Sequence, residues 1–181
     1  MLFRSPIFCS DLALKKSTVG LLFIKSITII FFTVKSTDRY KNLGEIKMLG
    51  EKAGSMTFKE TSKAIPSGKY GLPAMETSTV GGGKMLGHDV MAQATFSAEM
   101  RPDGSWLGDC PAGIMFCAEG VATYICSGVG NMTAAGGVSF RGGASFETTS
   151  EALSELNGKY YMFTYESDAE GNAEWNLYPC K

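Results

Sequence analysis

Hydrophobic and polar residues alternate along one long stretch of the chain, from Gly128 to Ser150. A period of two predicts a β-strand with one buried face, here preceded by a glycine-marked turn. Gly142 and Gly143 interrupt the alternation. Glycine within a strand is typical of a bend, a bulge or the close approach of another backbone. The two predicted faces are Val138, Phe140, Ala144 and Phe146 on the buried side, and Ser139, Arg141, Ser145 and Glu147 on the other.

The same pattern recurs from residue 43 to the C-terminus. Turn signals separate short apolar runs, with Arg101-Pro102-Asp103-Gly104 predicted as a hairpin turn and Gly81-Gly82-Gly83-Lys84 as a hairpin loop. Ser150 is placed to cap at most a short helical turn near 150–156. The other predicted strands span 56–64, 70–80, 85–100, 105–107, 114–118, 121–127, 160–166 and 173–178.

These short strands and the absence of any βαβ pattern predict an all-β domain over 43–181. The fold we expect is a single antiparallel β-barrel of about eight strands, which closes its own edges and leaves room for a small ligand. A β-sandwich is the alternative.

Several motifs after residue 100 occur in an order that resembles an uncharacterised microbial family of small single-domain β-barrel proteins. That family is distantly similar to the allene oxide cyclase-like and calycin barrels. The resemblance covers about 43–181 and implies a barrel, with no known activity or functional residues to transfer. Cys110-Pro111 and the final Pro179-Cys180-Lys181 depart from its pattern. The motifs are Pro102-Asp103-Gly104-Ser105, Ser127-Gly128-Val129-Gly130, Gly136-Gly137-Val138-Ser139-Phe140-Arg141-Gly142, Phe146-Glu147-Thr148-Thr149-Ser150, Leu153, Leu156-Asn157, Phe163, Tyr165-Glu166, Gly171-Asn172 and Trp175.

Residues 1–42 differ in composition from the rest and are interpreted as an N-terminal extension. They hold seven of the 17 basic residues, two of the 18 acidic residues and one of the 22 glycines. The apolar run 19–34 has Lys25 at its centre and is shorter than the roughly 20 residues a spanning helix needs. Three interpretations stay open: an upstream extension with Met48 or Met56 nearer the true start, a membrane anchor or uncleaved signal, and an integral strand or helix.

Charge and cysteine usage narrow the function classes. The acidic body lacks the clustered Lys and Arg that phosphate contacts need, so no nucleic-acid partner is expected. One His and no CxxC pair argue against a metal site, and no cofactor is expected. The five cysteines are interpreted as reduced, mostly buried thiols of a cytoplasmic protein, with membrane anchoring through 19–34 as the alternative location. A Cys110–Cys117 or Cys126–Cys180 disulfide remains open.

Few polar residues are candidates for chemistry. Arg141 is placed either to hold a carboxylate ligand in the barrel or to pair with a carboxylate on the next strand. Glu147 and Glu166 are candidate ligand-binding carboxylates. His88-Asp89 is the one His–carboxylate neighbour pair, but adjacent strand residues face opposite ways, which favours a surface turn.

Aromatic residues supply the other ligand-binding candidates: Tyr124, Phe140 and Tyr165. The function we expect is binding of a small apolar or amphipathic molecule without catalysis. A cyclase- or isomerase-type enzyme is an alternative, which requires Arg141, Glu147, Glu166 or His88 to converge in one cavity. A filled barrel that acts in structural interactions is another, and homo-oligomers fit it.

Overall fold

A computed structural model describes residues 48–181. They form eight antiparallel strands and one short 3₁₀ helix, Ser154–Leu156. The strands are β1 Gly54–Ile65, β2 Ala74–Met85, β3 His88–Met100, β4 Trp106–Cys117, β5 Gly120–Met132, β6 Val138–Thr148, β7 Tyr160–Ser167 and β8 Asn172–Pro179.

The strands form a closed barrel in which each pairs with the next along the chain and β8 pairs with β1. Closure runs from Gly54 opposite Leu177 to Lys59 opposite Asn172. The predicted eight-stranded antiparallel barrel is therefore confirmed, and the sandwich is excluded. Because closure gives every strand two partners, the described domain has no open sheet edge.

The glycine run in β2 lies inside a strand, so the predicted hairpin loop at Gly81–Gly83 is wrong. Gly81 and Gly83 face Phe58 and Met56 of β1, and an added Cβ at either position would overlap the β1 backbone. The hairpin falls at Leu86-Gly87, where both residues have positive φ, 51° and 85°, as a two-residue type I′ turn requires. Three glycines thus mark close strand packing, not a turn.

β4 is one strand where the sequence predicted two short ones. Its pairing with β5 shifts register between Cys110 and Gly113, so Pro111 and Ala112 form a bulge. A bulge accommodates proline within a sheet because the residue there leaves the hydrogen-bonded ladder. β5 likewise continues through Gly128, where a turn was expected, and the turn falls after Met132.

Alternate side chains face the barrel interior, as predicted for the stretch that includes β6. The Asp103-Gly104 hairpin is also confirmed, because Arg101 N–H donates to Ser105 O and Gly104 has a φ of 84°. The predicted helical turn near 150–156 corresponds to the 3₁₀ helix. Leu156 within this helix and Leu153 just before it are fully buried.

Predictions on residues 1–42 lie outside the described residues. Within 48–181, no helix has the length and apolarity needed to cross a membrane.

Candidate functional site

The barrel encloses a cavity of about 70 Å³, counted as space open to the centre of a water-sized sphere. One water needs roughly 10–15 Å³ on that measure, so several waters or one compact organic molecule fit. The cavity is partly open to solvent, and its lining is almost entirely apolar. The lining side chains include Phe58, Thr79, Ala94, Phe96, Cys110, Tyr124, Cys126, Phe140, Phe163, Tyr165 and Trp175.

Burial locates the mouth of this cavity. At the end of the barrel where β1 begins, Met56, Met85 and Leu177 are 1% exposed or less, and Leu153 and Leu156 close over them. At the opposite end the inward positions Ser62 and Ala64 are exposed. We call these the sealed end and the open end, and the cavity faces the open end.

Glycines in the wall create the space for the aromatic rings. An added Cβ at Gly113 would overlap the Tyr124 ring, and one at Gly142 would lie 2.7 Å from the Phe163 ring. At Gly108 it would lie 3.2 Å from Phe140. The rings therefore lie flat against a backbone surface that only glycine leaves free, which explains why glycine is frequent within these strands.

Trp175 of β8 stands at the centre of the ring cluster. Its ring centroid lies 5.1 Å from that of Tyr124, 6.0 Å from Phe163 and 6.3 Å from Phe58, all in tilted or edge-on arrangements. Such geometries are favourable for aromatic pairs and give the cavity a firm wall.

One strong hydrogen bond lies beside the cavity near the open end. Tyr165 Oη donates to Glu60 Oε2 at 2.6 Å. Burial, and then the bond to Glu60, raises the pKa of Tyr165 well above its usual range, so it remains a neutral donor. The Ser62 and Thr77 hydroxyls share a 2.8 Å bond toward the same end.

Tyr124 brings a hydroxyl into the apolar cavity. Among residues 48–181 it has no hydrogen-bond partner, and burial raises its pKa well above the usual value. A neutral phenol without a protein partner can bond to a ligand or water within the cavity. In the described part of the chain, Trp106 Nε1 is a deeply buried side-chain donor that also lacks an acceptor.

Two thiols face each other in the cavity wall. Cys110 of β4 and Cys126 of β5 are directly opposed across the sheet, and both residues line the cavity. All four described cysteines are free. The two disulfides left open by the sequence do not fit this fold, because Cys117 lies at the far end of β4 from Cys110 and Cys180 follows β8 at the sealed end.

The six residues predicted to bind ligand divide into two groups. Tyr124, Phe140 and Tyr165 line the cavity. Arg141, Glu147 and Glu166 instead lie on the outer face, which corrects the expectation that they point inward.

Strand alternation is the physical reason for that correction. Arg141 follows the inward Phe140 and Glu166 follows the inward Tyr165, so both point outward. Arg141 Nη1 lies 2.5 Å from Glu166 Oε1 across β6 and β7. The two side chains are 56% and 44% exposed, so this is the alternative pairing with a carboxylate on the next strand.

His88 and Asp89 begin β3 just after the Leu86-Gly87 turn, and both are exposed. Asp89 accepts a hydrogen bond from Lys84, which lowers its pKa. The four polar residues that the cyclase-type hypothesis requires therefore lie outside the cavity. No group of three or more His, Cys, Asp or Glu is arranged to hold a metal ion within 48–181.

The outer face also has apolar residues that bear on self-association. Met91 and Phe116 are cross-strand partners and are 64% and 46% exposed. Homo-oligomer formation through such a patch stays a prediction.

Sequence reasoning missed several cavity residues. Phe58 and Thr79 were not singled out, and the Cys110–Cys126 pair was not anticipated. Thr79 faces the cavity because it is the cross-strand partner of Glu60 and Ala94. The turns at Leu86-Gly87 and Ala118-Glu119 set the strand register, but the Cys110–Cys126 pairing also requires the bulge at Pro111 and Ala112.

Comparison with known proteins found similar folds among solved structures, but no similar family or curated protein. No protein-family model matches the chain, and no curated protein matches it. Solved structures do match, and they share its architecture.

A protein of unknown function from Clostridium acetobutylicum aligns with a TM-score of 0.63 and 13% identity, over 72% of this chain and 97% of its own. A conserved protein of unknown function from Rhodopseudomonas palustris aligns with a TM-score of 0.61 and 11% identity, over 74% and 98%. A β-barrel-like protein from Acinetobacter baumannii aligns with a TM-score of 0.62 and 11% identity, over 74% and 95%.

The chain thus shares the fold of small single-barrel bacterial proteins, as the sequence resemblance implied. At this level of identity the likeness concerns the fold alone. The more distant link to allene oxide cyclase-like barrels stays a prediction.

Proposed function

We propose that the barrel binds one compact, mainly apolar molecule in the aromatic cavity and does so without catalysis. The observation on which this rests is an apolar cavity that faces the open end of a barrel whose other end is sealed. Ligand sites are typically concave and apolar, with a few polar groups that orient the ligand.

The size of the cavity limits the ligand class. About 70 Å³ of water-accessible space suits a single small ring or a short branched chain, not a long acyl chain. Amphipathic ligands fit if their polar part stays near the open end.

The polar groups suggest how such a ligand is oriented. Tyr124 Oη has no partner among the described residues and can donate to a ligand acceptor. Tyr165 is already committed to Glu60, so it holds the mouth in shape. A planar ligand with one hydrogen-bonding group, such as a phenol or an indole, matches this arrangement best.

A binding role without catalysis is supported by the position of the charged residues. Arg141, Glu147 and Glu166 face outward, which leaves the cavity with rings, hydroxyls and thiols. Cytoplasmic location remains part of the proposal, since the four described cysteines are free.

The test is an NMR titration of the protein with phenol, indole and xenon. We expect saturable shifts confined to cavity-lining residues, with a dissociation constant of about 1 mM or lower for the best probe. Ala94→Leu fills the cavity and should abolish these shifts.

Gln93→Leu is the matched control, because it adds a leucine at the exposed neighbouring position of the same strand. It should bind the probes as the parent protein does. Shifts that never saturate, or that persist unchanged in Ala94→Leu, would contradict the proposal.

A further inference from the structure

The facing thiols of Cys110 and Cys126 have the geometry of a potential disulfide. Directly opposed residues in an antiparallel ladder have Cα atoms about 4.5 or 5.5 Å apart, and a disulfide needs about 4.4–6.8 Å. Both residues line the same cavity from adjacent strands. The bond can therefore form without moving either strand to a new register.

We propose that Cys110 and Cys126 are an oxidation site: a water-sized hydroperoxide enters the cavity and converts the dithiol into a disulfide that joins β4 to β5. This inference goes beyond ligand binding, and it holds whether or not the cavity takes an organic ligand.

The chemistry proceeds in two balanced steps. The Cys110 thiolate attacks one peroxide oxygen, the O–O bond breaks, and Cys110 becomes a sulfenic acid while hydroxide leaves and takes up a proton to become water. The Cys126 sulfur then attacks the Cys110 sulfur, the S–O bond breaks, and a second water leaves. Two thiols are oxidised by two electrons, and one hydroperoxide is reduced.

The two thiols differ in acidity. The neighbouring Cys126 side chain lowers the pKa of the Cys110 thiol, whereas the Cys110 side chain and burial raise the pKa of Cys126. The thiolate is the reactive form, so Cys110 is the attacking sulfur and Cys126 resolves the sulfenic acid.

The cavity provides the route and selects the oxidant by size. Cys110 is 4% exposed and both sulfurs belong to the cavity lining, so an oxidant must enter that space. Hydrogen peroxide is comparable to water in size, whereas the tripeptide dimer oxidised glutathione is far larger than the single small ring that the cavity suits. Cys117 and Cys180 do not line the cavity, so the test can replace them without changing its lining.

The disulfide should also stabilise the folded barrel. Pro111 and Ala112 interrupt the β4 ladder next to Cys110. A covalent link there closes a short loop in the unfolded chain, so it restricts that ensemble and stabilises the folded barrel. We expect the thermal midpoint to rise by about 5 °C on oxidation.

The test uses the full chain with Cys9→Ser, Cys117→Ser and Cys180→Ser, which leaves only the facing pair. Hydrogen peroxide should lower the mass of the protein by two hydrogen atoms and eliminate both titratable thiols. Peptide mapping should then show a disulfide between Cys110 and Cys126. Dithiothreitol should reverse this. Adding Cys126→Ser should leave a sulfenic acid on Cys110 that dimedone traps, whereas adding Cys110→Ser should leave Cys126 at least tenfold slower to react.

Size selection is tested on the same protein with all side chains of the cavity intact. Oxidised glutathione should oxidise the pair at least tenfold more slowly than hydrogen peroxide in the folded protein, whereas it should oxidise the same thiols readily in the unfolded chain in urea. Thiols that stay titratable in peroxide-treated folded protein, or equal rates for the two oxidants when folded, would overturn the proposal. Because no organic ligand is used, failure of the binding proposal leaves this result unaffected.

Discussion

The two ends of the barrel use the same alternating strands for different purposes. At the sealed end, inward positions hold flexible apolar side chains such as Met85 and Met115, both 0% exposed. At the open end, inward positions hold Glu60, which accepts a hydrogen bond from Tyr165, and Ser62 and Thr77, whose hydroxyls bond to each other. One end is a packed core and the other is a polar rim around an aromatic cavity.

Connection geometry explains the difference. The segment between β6 and β7 is long enough to fold Leu153 and Leu156 back over the sealed end. At the open end the long β1–β2 connection is instead tied outward, because Lys69 N–H donates to Glu99 on the outer face. A barrel of fixed strand number thus becomes solid or hollow at each end according to where its connections lie.

The largest expected effect compares two methionines on the same strand and face. Met85→Ala at the sealed end should lower the free energy of unfolding by about 2–5 kcal/mol, because it leaves a cavity among fully buried side chains. Met75→Ala at the open end, where the side chain is half-buried, should cost less than about 1.5 kcal/mol. Urea unfolding measures both, and equal losses would remove the distinction between the ends.

A smaller effect compares two tyrosines of β7. Tyr165→Phe removes the hydrogen bond to the half-buried Glu60, and we expect a loss of about 1–2 kcal/mol. Tyr161→Phe should be close to neutral, because Tyr161 Oη makes no hydrogen bond to another described residue. If the two variants were equally stable, the rim would not depend on its hydrogen bonds.

The smallest expected effect concerns the turn between β7 and β8 at the open end. Asp168 accepts hydrogen bonds from the side chain and backbone N–H of Asn172, which lower its pKa below 3.8. A lowered folded-state pKa adds stability above pH 3.8, and that stability disappears as pH falls through the lowered value. Asp168→Ala should therefore reduce the urea midpoint slightly at pH 7.

The difference in urea midpoint between Asp168→Ala and the parent protein should narrow as the pH falls below 3.8, because the Asp168 carboxyl group then becomes protonated in both the folded and the unfolded state. Glu170→Ala removes a carboxylate from the same turn but none of the bonds to Asn172, so it is the control. A deficit for Asp168→Ala that stays constant down to acidic pH would show that the charge of Asp168 is not responsible.

Local pattern predicted the barrel and part of its site. The alternation around Phe140 identified inward residues correctly, since side-chain direction follows directly from strand geometry. The same rule, applied consistently, places Arg141 and Glu166 outside. Their expected role in the cavity failed because it treated functional residue type as stronger evidence than strand parity.

Turn assignment was the weaker part. Gly81–Gly83 and Gly128 resemble loop signals, yet both lie within strands because aromatic rings or neighbouring backbones occupy the space where a Cβ would be. Glycine in a strand and glycine in a turn have the same local signature, and only the partner strand distinguishes them.

The amino-acid sequence by itself determined the all-β class, an antiparallel barrel of about eight strands, and the choice of Tyr124, Phe140 and Tyr165 as cavity residues. Only the tertiary structure decided that Cys110 faces Cys126, that Phe163 lies over Gly142, and that one end of the barrel stays open. The physical reason is register: a period of two sets which face a side chain takes, whereas its partner across the sheet depends on hairpin positions, bulges and barrel closure.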